Sequence, residues 1–349
     1  MAYSSIVKPT DYFNTLLYTG TGSSNALTGV GFQPDWVFLK GRSDGDGSRI
    51  YDSVRGVTKE IYSYADDAES TNSNGLTAFG TDGFTLGSTS GINGSSKTFV
   101  AWNWLASGST ASNSNGGITS TVSANTTAGF SIVQYVGTSS DNTVGHGLGA
   151  IPKMIITKGT SASGHWSCYH NKLTNGTDSY IELNNSNAES NLTLSPDYWG
   201  TPSSTVFGVK GGYGNSINGR TYIAYCFAEI KGYSKISVYT GNGNSDGPFV
   251  YTGFKPAWVL TKRTDSTGNW HIFDNKRPGE NPTDKVLNTN TSSAESDEGQ
   301  GFDFCSNGFK VRESGNFVNA GGQPFIYMAF AENPFVANDS GTAVPVVAS

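Results

Sequence analysis

Apolar residues recur along the chain in short alternating runs, separated by glycine, asparagine and aspartate. Runs such as "TLLYTG", "DWVFLK" and "TFVAWNW" place successive side chains on opposite faces, as a strand does. Between them lies turn material, including "TDG", "SNG", "SSNA" and "SINGR". No stretch is rich in Ala, Leu, Glu and Lys, as a long helix requires. The pattern predicts short antiparallel strands packed as two sheets.

The runs themselves repeat. A proline is followed six residues later by a lysine three times: Pro34 and Lys40, Pro152 and Lys158, Pro256 and Lys262. A tyrosine that closes an alternating run (Tyr18, Tyr135, Tyr239) precedes each proline by 16 or 17 residues, and an aromatic (Tyr51, Tyr169, Phe273) follows it by 17. The triplet "AES" comes next, carrying Glu69, Glu189 and Glu295, then Phe84, Phe207 and Phe309, and finally Phe99, Tyr222 and Phe325. Slipping a strand by one residue turns its inner face outward, so fixed spacing between apolar anchors marks strands and drifting spacing marks loops. The glutamate drifts from 18 to 20 to 22 residues past the aromatic anchor, which puts the triplet in a loop.

The expected architecture is all-β: three tandem antiparallel β-sandwich repeats of jelly-roll or lectin-like type, at residues 12–106, 128–231 and 232–334. Residues 1–11 read as an N-terminal arm, 107–127 as a polar linker and 335–349 as a C-terminal tail. In "DWVFLK", Trp36 and Phe38 face one side and Val37 and Leu39 the other. A central strand is expected, with one face in its own core and the other covered by a neighbour. Trp36 and Trp258 are read as core or inter-domain residues. The recurring lysines are expected to cap carbonyls or to pair with a repeated acid, with Glu69, Glu189 and Glu295 as candidates.

Composition narrows the function. The formal net charge of −6 disfavours general nucleic-acid binding, which needs a basic face. No run approaches 18 apolar residues, and "MAYSSIVKPTDYF" lacks the apolar core of a secretory signal. Cys168, Cys226 and Cys305 make neither a disulfide framework nor a metal spacing; buried thiols are expected. His165 and His170 are five apart and would face opposite sides of a strand. The turns holding Asp44 and Asp46, and Asn242, Asn244 and Asp246, resemble fragments of calcium loops but lack the complete ligand spacing. "GYGNSINGR" is glycine-rich without the strand–turn–helix context of a phosphate loop. Asp52 and Asp274 follow the aromatic anchor in two copies, but His170 takes that place in the second. A catalytic Asp–Glu pair would therefore not recur, and no nucleophile signature is present. No catalytic residue, metal or cofactor is assigned. Aromatic and amide side chains on polar loops suit neutral glycans. Tyr198 and Trp199, with Asn171 and Asp197 as polar partners, are the candidate ligand-binding residues, on loops that differ between the copies.

Three stretches, "VGFQPDWVFLKGRS", "VGHGLGAIPKMIITK" and "TYIAYCFAEIKGYSKISVYTGNG", together with the phrases around them, resemble a family of virion-associated proteins encoded by tailed bacteriophages. The resemblance spans roughly residues 12–335 and brings no catalytic residues with it. It implies a non-enzymatic structural protein on the virion exterior, assembled in the host cytoplasm. A tail-fibre or baseplate adhesion module is the first expectation and a capsid-surface decoration protein the alternative; a polysaccharide depolymerase is the third reading. Other virion proteins, further copies of the chain (a trimer, for example) and a host-surface glycan or protein are the partners expected, with no nucleic acid and no membrane insertion.

Overall fold

The computed structural model describes residues 4–192, 197–334, 336–339 and 342–345. The described chain is all-β and its strand pairing follows one order three times. In the first segment the tyrosine strand (Phe13–Thr19) pairs with the closing strand (Thr98–Trp104), which pairs with the proline strand (Trp36–Gly41). Arg49–Asp52, Lys59–Tyr62 and Ser70–Thr71 then follow. The second segment orders Phe130–Val136, Thr221–Phe227, Met154–Gly159, Ser167–His170, Ser179–Glu182 and Ser190–Asn191 in the same way. The third orders Ser234–Thr240, Pro324–Pro334, Phe254–Arg263, Trp270–Asp274, Thr283–Asn288 and Ser296–Cys305. All of these pairings are antiparallel.

A smaller layer covers one face of each main sheet. It holds Asn25–Thr28, Gly83–Leu86 and Leu76–Gly80 in the first segment, and Asn142–Gly145 with Val206–Val209 in the second. In the third, Ser296–Cys305 belongs to both layers, so eight strands form one sheet that curls into a nearly closed barrel. Between the layers the recurring tyrosine stacks on the first aromatic of the closing strand. Tyr18 on Phe99, Tyr135 on Tyr222 and Tyr239 on Phe325 have centroids 5.2, 5.2 and 5.1 Å apart. Each tyrosine hydroxyl also donates to a carbonyl, of Ile92, Asn215 and Val318, at 2.6–2.7 Å. The glycine three residues before each motif proline turns the chain into its strand with positive φ: 92° at Gly31, 68° at Gly149 and 84° at Gly253.

The other faces of the three main sheets meet in one central core. Alternation sends Val37 and Leu39 into the first segment's own core and Trp36 and Phe38 into the central one. Aromatic contacts cross every boundary there: Trp36 with Tyr225 at 4.7 Å, Trp104 with Trp258 at 5.5 Å and Phe227 with Phe330 at 6.1 Å. Backbone bonds close the circle. Glu69 N–H donates to Thr160 O at 2.8 Å, Glu189 N–H to Thr264 O at 2.8 Å and Glu295 N–H to Arg42 O at 3.0 Å.

Outside the repeats the linker expectation needs correction, and the two terminal segments gain detail. Residues 107–127 are not a plain linker, because Ala111–Asn113 and Ser120–Asn125 extend the second main sheet. Small polar side chains hide the alternation: Ser120 and Ser123 are buried, and Ser120 Oγ donates to Gly145 O at 2.8 Å. The arm at residues 1–11 is docked from Ser4 onward, with Ile6 buried in the central core; residues 1–3 lie outside the described residues. In the tail at 335–349, Val336–Asp339 pairs with Thr342–Pro345, and the remaining tail residues lie outside the described set.

Candidate functional site

The repeated lysines and glutamates lie at the seams between segments. Lys40 Nζ donates to Thr291 O at 2.5 Å, Lys158 Nζ to Asp66 O at 3.0 Å, and Lys262 Nζ to Ser186 O at 3.4 Å. Each bond reaches a different segment, in the same rotational sense. Burial lowers all three ammonium groups to a pKa of about 8. The lysines thus cap carbonyls. The repeated acids pair elsewhere: Glu69 with Arg55 (3.2 Å) and Lys59 (3.7 Å), and Glu295 with Arg42 (2.9 Å) and Arg277 (3.2 Å). Glu189 accepts the amides of Thr174 and Asn175, each at 2.9 Å.

Asp52 and Asp274 sit just inside these seams. Arg55 Nε meets Asp52 Oδ2 at 2.5 Å, and the Tyr225 hydroxyl of the second segment donates to the same oxygen at 2.8 Å. Arg277 Nε meets Asp274 Oδ2 at 2.7 Å, and Trp102 Nε1 of the first segment donates to it at 3.0 Å. An arginine therefore stands between the Asp and the Glu in both places, so the carboxylates are parts of ion-paired triads rather than a facing acid–base pair. The second segment has a neutral version, with His170 for Asp and Leu173 for Arg. The reason lies in the third closing strand, where Met328 occupies the place of Trp102 and Tyr225 and offers no N–H or O–H. His170 Nε2 instead bonds the Tyr327 carbonyl at 3.3 Å, while Nδ1 accepts Lys172 N–H at 3.1 Å. Burial holds this imidazole neutral, with a pKa lowered to about 4.

The residues expected to bind ligand do not form an open platform. Tyr198 and Trp199 are 1% and 0% exposed and belong to the second segment's own core. Their loop folds back over the sheet because both polar tips find partners inside: Trp199 Nε1 donates to Ser179 O at 2.9 Å, and the Tyr198 hydroxyl bonds Ser167 Oγ at 2.9 Å. Asn171 is half-buried and its amide N–H donates to Lys153 O at 2.9 Å. Asp197 is exposed, and its N–H donates to Asp178 Oδ1 at 2.7 Å. Of the four, Tyr198 lines an open groove.

That groove, of about 210 Å³ on the second segment, is walled by Tyr180, Tyr198 and Tyr213, with Ser167, His165, Arg220 and the Glu182 carboxylate, which accepts from the Asn185 and Asn187 side-chain amides, as its polar lining. Tyr180 stacks on Tyr198 with centroids 4.9 Å apart, and Tyr213 meets Tyr198 edge-on at 6.2 Å. Arg220 Nη1 donates to Ser163 O at 3.0 Å. Tyr213, Gly214 and Arg220 come from "GYGNSINGR", which the sequence alone marks as turn material and as a poor match to a phosphate loop. The signal that could have found them is a tyrosine set between two glycines at a turn, Gly212 and Gly214.

The acidic turns are internally engaged. Lys97 pairs with Asp44 and, at 3.0 Å, with Asp46, while Asp246 pairs with Lys310 at 2.7 Å. Among the described residues, no group of three or more His, Cys, Asp or Glu side chains is arranged to hold a metal ion. The three cysteines are free thiols, buried at Cys168 and Cys226 and half-buried at Cys305.

No curated protein and no solved structure matches the chain. A family model described as a domain of unknown function, DUF7483, matches residues 8–334, from the turn before the first tyrosine strand to the end of the last closing strand. That span takes in all three main sheets and the core they share, and the chain belongs to the DUF7483 family.

Proposed function

We propose that the chain is a non-enzymatic structural protein of a tailed-phage virion, set on the particle exterior as a tail-fibre or baseplate adhesion module. In this reading residues 12–334 are three tandem β-sandwich copies, turned inward around a common axis so that one chain makes a threefold body. The recurring strand order and the rotating seam contacts support it. The phage setting rests on the resemblance of the phrases quoted above. One observation carries the non-enzymatic part: Asp52, Asp274, Glu69 and Glu295, the acids best placed for chemistry, are engaged by arginines at the seams. The groove is lined by tyrosines and hydrogen-bonding side chains; its one carboxylate, Glu182, accepts from Asn185 and Asn187, and its imidazole, His165, is bonded to Asn184, an arrangement that suits binding.

Imaging of particles labelled with antibody to this protein, together with binding of the fluorescent chain to host cells, tests the proposal. Label at the tail or baseplate and saturable cell binding are expected. A position on the capsid lattice with no cell binding turns the reading to a decoration protein. Shortening of host envelope polysaccharide, lost on Asp52→Asn or Asp274→Asn, overturns the non-enzymatic assignment.

A further inference from the structure

We propose that the groove of the second copy is a saccharide subsite that holds a single pyranose ring of a surface glycan. Its ligand class rests on the adhesion reading; the site itself rests on a comparison of the three copies.

Two positions decide whether this place is open. The first is Ser167, which pairs across the sheet with Glu182 as Arg49 does with Tyr62 and His271 with Asn288. The second is Gly214, which corresponds to Gly91 and Phe317. The residue after each is Asn215, Ile92 or Val318, whose carbonyl accepts the recurring tyrosine hydroxyl. In the first copy the Arg49 guanidinium fills the space: a Cβ added to Gly91 would fall 2.0 Å from its Nη1. In the third copy the Phe317 ring fills it, packed on His271 at 4.0 Å between centroids. Only the second copy has small residues at both positions. The space that arginine or phenylalanine takes elsewhere is left as the groove, and a Cβ at Gly214 would already come within 3.1 Å of the Tyr198 hydroxyl.

The walls of the opening fit a sugar. Tyr213 is 38% exposed and Tyr180 is half-buried, so both rings are within a ligand's reach. Aromatic rings suit the C–H faces of a pyranose, and its hydroxyls need donors and acceptors at the edge. The Tyr198 and Ser167 hydroxyls, 2.9 Å apart, supply both kinds. Arg220 supplies N–H donors, one of which bonds the Ser163 carbonyl at 3.0 Å. At about 210 Å³ the groove is smaller than a drug-sized pocket, which runs to roughly 300–1,000 Å³. One ring with the rest of the chain in solvent fits that size.

The test uses the full chain and a panel of methyl pyranosides: glucoside, galactoside, mannoside, N-acetylglucosaminide and glucuronide. Saturation-transfer NMR reads contact, and titration reads affinity. At least one glycoside is expected to bind, about tenfold or more weaker in Tyr213→Ala, and not at all in Ser167→His/Gly214→Phe, which copies the plug of the third copy. Tyr251→Ala, an exposed tyrosine of the third copy, should bind as the parent does. If the plugged variant does not melt cooperatively, Tyr213→Ala decides. Absence of binding by every glycoside, or unchanged binding in Tyr213→Ala, overturns the subsite. Host-cell adhesion separates the two proposals. Cell adhesion with no glycoside bound rejects the subsite and keeps the adhesion module, whereas glycoside binding without cell adhesion keeps the subsite and rejects the module.

Discussion

Trp36 belongs to two segments at once. Its ring touches Trp104 of its own segment at 4.5 Å and Tyr225 and Phe227 of the second at 4.7 and 5.8 Å. Its indole N–H is buried and bonds no protein atom, so packing alone fixes the residue. Trp36→Ala is therefore expected to cost about 3–5 kcal/mol. Trp36→Phe, which keeps a ring and gives up no hydrogen bond, is expected to cost clearly less. Urea titration of both variants is the check, and equal losses would mean that the contact is not one of packing. Position in the motif was enough to place this residue: a tryptophan directly after the proline, on a strand apolar on both faces, has to meet a neighbour. Tyr198 and Trp199 lie inside rather than on an open platform, for the opposite reason. A loop position and a run of polar neighbours say nothing of the Ser167 hydroxyl and the Ser179 carbonyl that draw the two side chains inside.

Between elements, the informative event is a triple exchange at one seam: Asp to His at 170, Arg to Leu at 173, and Trp or Tyr to Met at 328. Each change removes a charge or a donor that the others would have needed. His170→Asp alone would bury a carboxylate with neither arginine nor hydroxyl to meet it, and is expected to cost about 3–5 kcal/mol. Adding Leu173→Arg should restore a large part, since Arg55 and Arg277 each hold the corresponding Asp from three residues away. Urea midpoints of the single and double variants test this, and a double variant no more stable than the single one would refute the compensation. The sequence showed that Asp52 and Asp274 fail to recur at position 170 but not why, because the partner that explains it lies 158 residues later. The positions of the recurring strands were legible for a simpler reason. Anchor spacings are set within a copy, where backbone pairing allows little drift, whereas Ser120 and Ser123 carried too little apolar surface to betray their strand.

For the whole molecule, three similar segments do not amount to three independent domains. The central core removes Trp36, Phe130, Trp258 and their neighbours from water only when all three sheets are present. One cooperative melting transition is expected, with calorimetric and van't Hoff enthalpies in agreement. A fragment of residues 12–106 is expected to stay unfolded or to associate, because Phe38, Trp102 and Trp104 would face solvent. Calorimetry of the full chain and circular dichroism of the fragment check both, and three resolved transitions would restore independent domains. The seam where Glu295 returns to Arg42 also has a consequence in time. Its paired side chains lie 253 residues apart in the chain, so the first sheet leaves the ribosome long before the partner that covers it. At ~5–20 residues per second the wait is roughly 13–50 s. For the part of that interval after Trp104 is made, the tryptophan-rich face lacks the cover of the third segment, and the yield of soluble protein should depend on how fast that segment arrives and on whether a chaperone holds the first until then.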